Sequence, residues 1–198
     1  MKPDDSGLIQ KPGHLFHPFP QLETGRLILR NTSPSDAEQL FDMRSDPEVM
    51  KYVPRPLATS FNDVRNLLEV IDEFIAKGEK INWVIQEKNN DRAIGLIGFV
   101  KIFPEHYRAE VGYSLTRSFH RKGIMMEALN AVVNYGFNAL DFHSICAIVD
   151  AENTASSSLL KKAGFRQEAF FKEDFYYNGS FRNSLHFGVL KDEWKLSG

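Results

Sequence analysis

Two cations and a glycine at positions 121 to 123 have the composition of an anion-binding turn. Arg121 and Lys122 stand directly before Gly123. The residues ahead of the turn alternate as in a half-buried strand, and those behind it repeat with a helical period. The first N–H groups of a helix lack intrahelical partners, and the helix dipole favours negative charge there. The turn therefore favours a phosphate ligand. An ordinary strand–turn–helix connection with solvated cations is the structural alternative.

A second segment, residues 145 to 165, predicts a buried strand followed by a short helix. Asn153 is a favourable N-cap, and Gly164 followed by Phe165 is typical of a helix C-terminus. Ser156 falls in the first turn of this helix, where the dipole also stabilises a negatively charged group. Capping alone would explain Asn153 and Ser156, so this segment by itself leaves a structural and a chemical role open.

In their order and spacing, the motifs of this chain resemble those of the Gcn5-related N-acetyltransferases (GNAT), in the branch of the RimJ/RimL-type ribosomal-protein acetyltransferases. The resemblance covers residues 23 to 194. Its motifs stand here as E-T-G-R-L-I-L-R from residue 23, A-E-V-G-Y from 109, K-G-I-M-M-E-A from 122, N-T-A-S from 153, K-A-G-F from 162 and Y-N-G-S-F-R-N from 177. Each motif alone is common, and their combination identifies the family.

The resemblance implies the acyl-CoA N-acyltransferase fold, a mixed α/β fold with a largely antiparallel central sheet and flanking helices. It implies acetyl-CoA as co-substrate, and no metal. Many family members carry a small residue where this chain has Met125, so the phosphate affinity is expected to differ. The cofactor-binding residues that carry over are Leu115, Thr116, His120, Arg121, Lys122, Gly123, Ile124, Met125, Met126, Asn153, Ser156 and Lys162.

Two catalytic groups are implied by the resemblance alone. The strand before the turn splays from its neighbour in the family, and the backbone N–H of Leu115 would then donate to the thioester oxygen. Ser156 would give a proton or a hydrogen bond to the departing thiolate. In the wider family a tyrosine does this from the position that Leu160 occupies here.

Glu110 is the predicted catalytic base. Amine attack needs a neutral nitrogen, and a carboxylate in apolar surroundings has a raised pKa. Glu110 shares a strand face with Gly112 and Ser114, which is expected to point into the cleft. A salt bridge to Arg108 or Arg117 is the structural alternative. Weaker substitutes for the base are Glu168, Glu173 and Asp174.

Hydrophobic periodicity places these residues on predicted elements. Strands are predicted at 26–31, 81–85, 94–103, 108–116 and 145–149, and helices at 35–44, 62–76, 122–140 and 154–163. Strands 94–103 and 108–116 should pair antiparallel, and residues 170–177 and 182–190 form a closing hairpin around Asn178-Gly179. Ser33 or Ser35 is the predicted N-cap of the first helix.

Composition predicts a single domain over residues 21–198 after a loose N-terminal extension at 1–20. The chain has 198 residues, 42% of them hydrophobic, and no apolar stretch of membrane-spanning length or signal-peptide pattern. A cytoplasmic location is therefore expected. A net charge of −2 argues against a nucleic-acid partner. The single cysteine, Cys146, excludes a disulfide framework, and the six histidines lack metal-ligand spacing.

Charge is concentrated between residues 34 and 73, where nine acidic and four basic side chains leave a local excess of five negative charges. A solvated helical face is the favoured interpretation. A surface that attracts cationic amines is the functional alternative.

The predicted activity is direct acetyl transfer from acetyl-CoA to a protein or peptide N-terminal amine. Two alternatives remain open: acetylation of a small amine such as a polyamine, an aminoglycoside or an amino acid, and a CoA-binding domain without turnover. The sequence also leaves open whether the chain forms a homo-oligomer.

Overall fold

The computed structural model describes residues 16–195, which form eight strands and five α-helices. The strands are β1 (Leu22–Glu23), β2 (Leu27–Arg30), β3 (Ile81–Glu87), β4 (Ala93–Phe103), β5 (Arg108–Leu115), β6 (Ser144–Asp150), β7 (Arg166–Tyr177) and β8 (Ser180–Leu190). The helices are α1 (Asp36–Ser45), α2 (Pro47–Met50), α3 (Phe61–Ala76), α4 (Ile124–Asn138) and α5 (Thr154–Lys162).

All eight strands belong to one sheet, in the order β1-β2-β3-β4-β5-β6-β8-β7. The pairs are antiparallel except β5 with β6, which run parallel. The predicted mixed α/β fold is confirmed, as are the antiparallel pairing of β4 with β5 and the closing hairpin of β7 and β8.

The helices cover the sheet on opposite faces. On β3, Trp83 and Ile85 pack in one core cluster with residues of α4 and α5. Val84 lies between them in sequence and packs in a second cluster with residues of α1 and α3. Because side chains alternate along a strand, α4 and α5 lie on one face and α1 and α3 on the other. We call these the α4 face and the α1 face.

Strands β5 and β6 pair over only three residues and then diverge. Arg108 to Glu110 pair with Ser144 to Cys146. Beyond that point β5 stays paired with β4 up to Leu115, and β6 stays paired with β8 up to Asp150. A gap therefore opens between the C-terminal halves of β5 and β6.

The beginning of α1 differs from the prediction. Ser35 occupies the N-cap position but its side chain makes no capping hydrogen bond. The carboxylate of Asp36, the first residue of α1, accepts from the Ser33 N–H at 2.7 Å and forms an ion pair with Arg30. Strand β1 and the four-residue helix α2 were not predicted, because segments this short carry no periodic signal.

The predicted loose extension falls largely outside the described residues. Residues 1–15 are not described. Phe16 is 3% exposed and lies in the α4-face core, and the Trp83 indole donates to the Pro20 carbonyl at 2.6 Å. Within residues 16–195, no helix has both the length and the hydropathy to cross a membrane.

Candidate active site

The turn that joins β5 to α4 leaves the first amides of α4 open. Gly123 occupies the N-cap position with φ +76°, and no side chain caps the helix. A Cβ atom at Gly123 would have one neighbour within 4 Å, the Arg26 Nη2 at 3.3 Å. The left-handed backbone and the close approach both favour glycine here. The N–H groups of Ile124, Met125 and Met126 can therefore meet a phosphate.

Cations and an imidazole surround this turn. Arg121 also adopts a left-handed conformation, with φ +59°. The Lys122 ammonium lies 5.2 Å from the Phe119 ring centroid. His120 places its Nε2 2.8 Å from the Leu115 carbonyl, which ties the turn to the end of β5.

An ion pair from the N-terminal strands supports the turn. The Arg26 guanidinium donates to the Glu127 carboxylate at 2.6 Å and to the Lys122 carbonyl at 3.0 Å. The same carboxylate accepts from the Arg26 N–H at 2.8 Å and from the Thr24 hydroxyl at 2.5 Å. Burial opposes ionisation of Glu127, but these hydrogen bonds and the Arg26 charge outweigh it and lower the pKa of Glu127. Arg26 thus fixes both sides of Gly123.

The backbone N–H of Leu115 points towards the gap between β5 and β6. The next N–H, that of Thr116, donates to the Ile94 carbonyl beside β4 at 2.8 Å. Successive N–H groups of a strand point to opposite sides, so the Leu115 N–H points away from β4. Thr116 is 8% exposed, and within residues 16–195 its hydroxyl has no hydrogen-bond partner. Both groups suit a polar substrate chain lying along this edge of β5.

A tyrosine and a serine meet across the gap. The Tyr113 and Ser156 hydroxyl oxygens lie 2.7 Å apart. Ser156 is in the first turn of α5, where its N–H donates to the Asn153 Oδ1 at 3.0 Å, which confirms the predicted cap. Burial raises the pKa of Tyr113 to about 12, and the hydrogen bond to Ser156 opposes this shift only partly. Tyr113 therefore keeps its proton near neutral pH.

Glu110 lies on the α1 face, with its side chain 13% exposed. Its neighbours Ala109 and Val111 pack into the α4-face core, which turns Glu110 the other way. The carboxylate is 3.0 Å from the Lys101 ammonium, an ion pair in place of the apolar surroundings expected from the sequence. The ion-pair partner of Glu110 is Lys101, whereas the alternative considered from the sequence was Arg108 or Arg117.

The substitute bases all belong to β7. The Glu168 carboxylate covers Gly188, where a Cβ atom would come within 2.5 Å of it. Gly188 pairs with Cys146, which pairs with Glu110, so Glu168 lies about two strand spacings, or roughly 10 Å, from Glu110. Asp174 accepts from the Ser184 hydroxyl at 2.6 Å, and Glu173 has a left-handed backbone with φ +52°.

The remaining predicted binding residues are arranged along α4 and α5. Ile124 is 2% exposed, and the side chains of Met125 and Met126 pack against the α4-face core. The Met125 side chain is thus partly buried. Lys162 ends α5, six residues or about 9 Å along the helix from Ser156.

Three residues of the site, Tyr113, Arg26 and Glu127, had no role predicted from the sequence. Tyr113 and Leu115 are two positions apart on β5, so their side chains lie on the same face of the strand. This spacing could have predicted that the Tyr113 side chain lies beside the gap. Nothing local could have paired Arg26 with Glu127. Among residues 16–195, no group of three or more His, Cys, Asp or Glu side chains could hold a metal ion.

Comparison with known proteins supports one family. Residues 26–166 match the family model described as an acetyltransferase (GNAT) domain. An uncharacterized N-acetyltransferase of Bacillus subtilis (strain 168), YoaA, is 34% identical over 173 residues, covering 87% of this chain and 98% of the relative. The solved structure of a GNAT-family acetyltransferase from Bacillus anthracis superimposes with a TM-score of 0.79 at 29% identity, covering 88% of this chain and 100% of the other.

Relatives with a named acceptor fall into two groups. The spermidine N(1)-acetyltransferase of Escherichia coli (strain K12) is 25% identical over 166 residues, 84% of this chain and 87% of the relative. The ribosomal protein uS5-alanine N-acetyltransferase of the same strain is 25% identical over 182 residues, which cover 89% of this chain and 94% of the relative. A spermidine N-acetyltransferase structure from Vibrio cholerae, in complex with CoA and spermine, has the same fold. It superimposes with a TM-score of 0.75 at 23% identity, covering 86% of this chain and 98% of the other.

Proposed function

The chain belongs to the GNAT family of acetyltransferases, and on that premise we propose that it transfers acetyl directly from acetyl-CoA to the N-terminal amine of a protein or peptide. The observation that carries the proposal is the gap between β5 and β6. A strand N–H, a serine at a helix N-terminus and a turn with open helix amides border this gap, which supports the proposal that they form one site.

The donor half of the site fits acetyl-CoA. The amides of residues 124 to 126, with Arg121 and Lys122 beside them, would hold the pyrophosphate. The exposed edge of β5 from Tyr113 to Leu115 would pair with the pantetheine arm as an added strand does. The unpartnered Thr116 hydroxyl supports this placement, since a buried polar group is ordinarily satisfied. Lys162 and Asn153 complete the proposed binding residues.

Groups of this chain can accept the proton that the reaction releases and stabilise the negative charge that develops. Glu110 accepts the proton of the acceptor amine, whose nitrogen forms the new C–N bond as the C–S bond breaks. The Leu115 N–H donates to the carbonyl oxygen while it carries negative charge. Ser156 donates to the thiolate that leaves, at the positive end of α5. Acetyl-CoA, when bound, supplies the activated acetyl group.

The α1 face offers room for a protein acceptor. The apolar residues of α1 and α3 pack with residues of β3 and β4, and Ile148 on β6 is 41% exposed. A cavity of about 260 Å³ lies at the end of β6, between Asp150–Glu152 and the hairpin residues Ser180–Asn183. The resemblance to the uS5-alanine N-acetyltransferase supports the same acceptor class. The equal identity to a spermidine N(1)-acetyltransferase keeps a small amine as the second candidate.

The test is thiol release from acetyl-CoA with a panel of acceptors: peptides with free N-termini and no lysine, the same peptides with blocked N-termini, polyamines and aminoglycosides. We expect release with free peptides and none with blocked ones, and mass spectrometry should place one acetyl group on the terminal nitrogen. Release with polyamines alone would favour the second candidate. CoA binding without release for any acceptor would overturn the proposal.

A further inference from the structure

A buried arginine on the α1 face has no carboxylate partner. Arg44 is 8% exposed, at the end of α1. Its Nη1 donates to the Met50 thioether sulfur at 3.1 Å, a weak acceptor for a charged donor. Among residues 16–195, no carboxylate lies within 4.0 Å of its guanidinium. Arginine is rarely buried to this extent without an anion.

A second arginine, Arg55, is in the loop that returns to the end of α1, where the Ala58 N–H donates to the Arg44 carbonyl at 3.0 Å. Arg55 is exposed, and within residues 16–195 it also has no ion pair. Burial, and next the charge of Arg55, lower the pKa of the Arg44 guanidinium. Two neighbouring positive charges without a counter-ion repel each other, so an anion that binds both would relieve this repulsion.

The loop that carries Arg55 borders the acceptor side of the active site. The Tyr177 hydroxyl donates to the Arg55 carbonyl at 2.7 Å, which joins the loop to the hairpin of β7 and β8. The same hairpin lines the cavity at the end of β6 with its residues Ser180–Asn183. Glu152 lines this cavity from the other side and precedes Ser156 by four residues.

The acidic residues of the cavity do not neutralise this pair. Asp150 forms an ion pair with Arg182 at 3.3 Å, and Glu152 lies 3.7 Å from the same guanidinium. Five of the nine acids between residues 34 and 73 have structural partners: Asp36 pairs with Arg30, Asp42 with Arg92, Asp72 with Thr32, and Asp46 and Asp63 cap helices.

We propose that Arg44 and Arg55 form a carboxylate-binding subsite, which selects amine acceptors that carry an acidic group close to the reacting nitrogen. This inference rests on the proposed function and narrows its acceptor class. A planar guanidinium binds a carboxylate through two parallel hydrogen bonds, whereas the two cations repel a polyamine. The carboxylate can come from an Asp or Glu side chain near a peptide N-terminus or from the α-carboxylate of a free amino acid.

The test compares matched acceptors at constant ionic strength. Peptides of one sequence carry Asp or Glu at the second and third positions, or Asn and Gln in their place; free glutamine, whose only carboxylate is the α-carboxylate, and spermidine form the other arms. For the wild-type enzyme we expect a KM roughly tenfold or more lower for the acidic peptide than for its amide twin. Preference for free glutamine would identify the α-carboxylate as the source, and preference for the acidic peptide the side chain.

Variants locate the subsite. Arg55→Gln should abolish the preference for the acidic peptide, and Arg55→Glu should reverse it in favour of the amide peptide. Arg65→Gln on the exposed side of α3 changes the net charge equally and should keep the preference. Arg44→Lys retains a charge but not the planar fork, and should weaken the preference; unchanged CoA affinity shows that each variant is folded.

Equal KM values for acidic and amide peptides in the wild type, or a preference for spermidine, would overturn the subsite. An unchanged preference in Arg55→Gln would do the same. Failure of the proposed function itself is distinguishable, because then neither the acidic nor the amide peptide would release thiol from acetyl-CoA.

Discussion

The hydroxyl groups of Tyr113 and Ser156 lie 2.7 Å apart and connect β5 to α5 across the gap between β5 and β6. Because Tyr113 keeps its proton, it can donate to the Ser156 oxygen and leave the Ser156 proton directed at a third group. Hydrogen bonds in such a chain polarise one another, which makes the serine a better donor. We therefore propose that Tyr113 is a positioning residue for Ser156.

Tyr113→Phe keeps the buried ring and removes the hydroxyl. We expect turnover to fall about three- to tenfold with little change in the KM for acetyl-CoA, because the lost hydrogen bond acts on the departing thiolate. Since the pKa of Tyr113 is about 12, the loss should be constant between pH 7 and 9. Steady-state kinetics across this range provides the measurement.

The double variant Tyr113→Phe/Ser156→Ala supplies the control. If Tyr113 acts through Ser156, the double variant should lose no more turnover than Ser156→Ala alone. Additive losses would mean that the two hydroxyls act independently. Unchanged turnover in folded Ser156→Ala would leave the serine with a structural role only.

Glu110→Gln keeps the size of the side chain and removes the proposed base. Turnover at neutral pH should fall by roughly 10²-fold, and the deficit should shrink at higher pH, where more acceptor amine is already neutral. Lys101→Gln breaks the same ion pair but keeps the carboxylate, so it should retain far more activity. Wild-type rates for Glu110→Gln at every pH would assign the proton to water or to Glu168.

Gly123→Val should weaken CoA binding by on the order of 2 kcal/mol, a factor of roughly thirty. The branched side chain meets the approaching phosphate, and φ +76° is unfavourable for it. Gly164→Ala is the control for backbone strain alone, because Gly164 has φ +97° and a Cβ atom there would have no neighbour within 4 Å. Calorimetry that finds equal CoA affinities in folded Gly123→Val and wild type would refute the phosphate site.

Glu127→Gln should destabilise the protein at neutral pH by on the order of 1–2 kcal/mol, through the loss of charged hydrogen bonds to Arg26 and Thr24. The pKa of Glu127 is lower in the folded than in the unfolded chain, so its contribution is complete above the ordinary glutamate value and is lost as the pH falls through the folded pKa. Urea unfolding should therefore show a larger difference at pH 7 than in acid.

Glu69→Gln, on the exposed side of α3, is the matched control and should change the free energy of unfolding little at either pH. A deficit for Glu127→Gln that stayed the same in acid would show that the carboxylate charge does not stabilise the turn.

Much of this fold could be predicted because its signals are local. The apolar stripe of α3, the cap at Asn153 and the glycine that ends α5 each act within a few residues. Gly123 could be identified for the same reason, since a turn before a helix is a local feature. The predicted elements therefore differ from the observed ones mainly in their first and last residues.

The missed features depend on contacts between different secondary-structure elements. Asp36 was not predicted to begin α1 because its partner Arg30 lies on β2. The Lys101 partner of Glu110 depends on the register of β4 against β5, which shifts between Phe99 and Lys101. The Tyr113–Ser156 contact needs the divergence of two parallel strands, and no residue pattern within either strand encodes this divergence.

The support that Arg26 gives to the Gly123 turn has a consequence for biosynthesis. Its partner Glu127 is 101 residues further along the chain. A polypeptide made from its N-terminus exposes β2 long before α4 is complete, so the Gly123 turn acquires its supporting ion pair only in the second half of translation. Products that stop before Glu127 leave Arg26 without this carboxylate, and the ability to retain CoA would distinguish finished chains from prematurely ended ones.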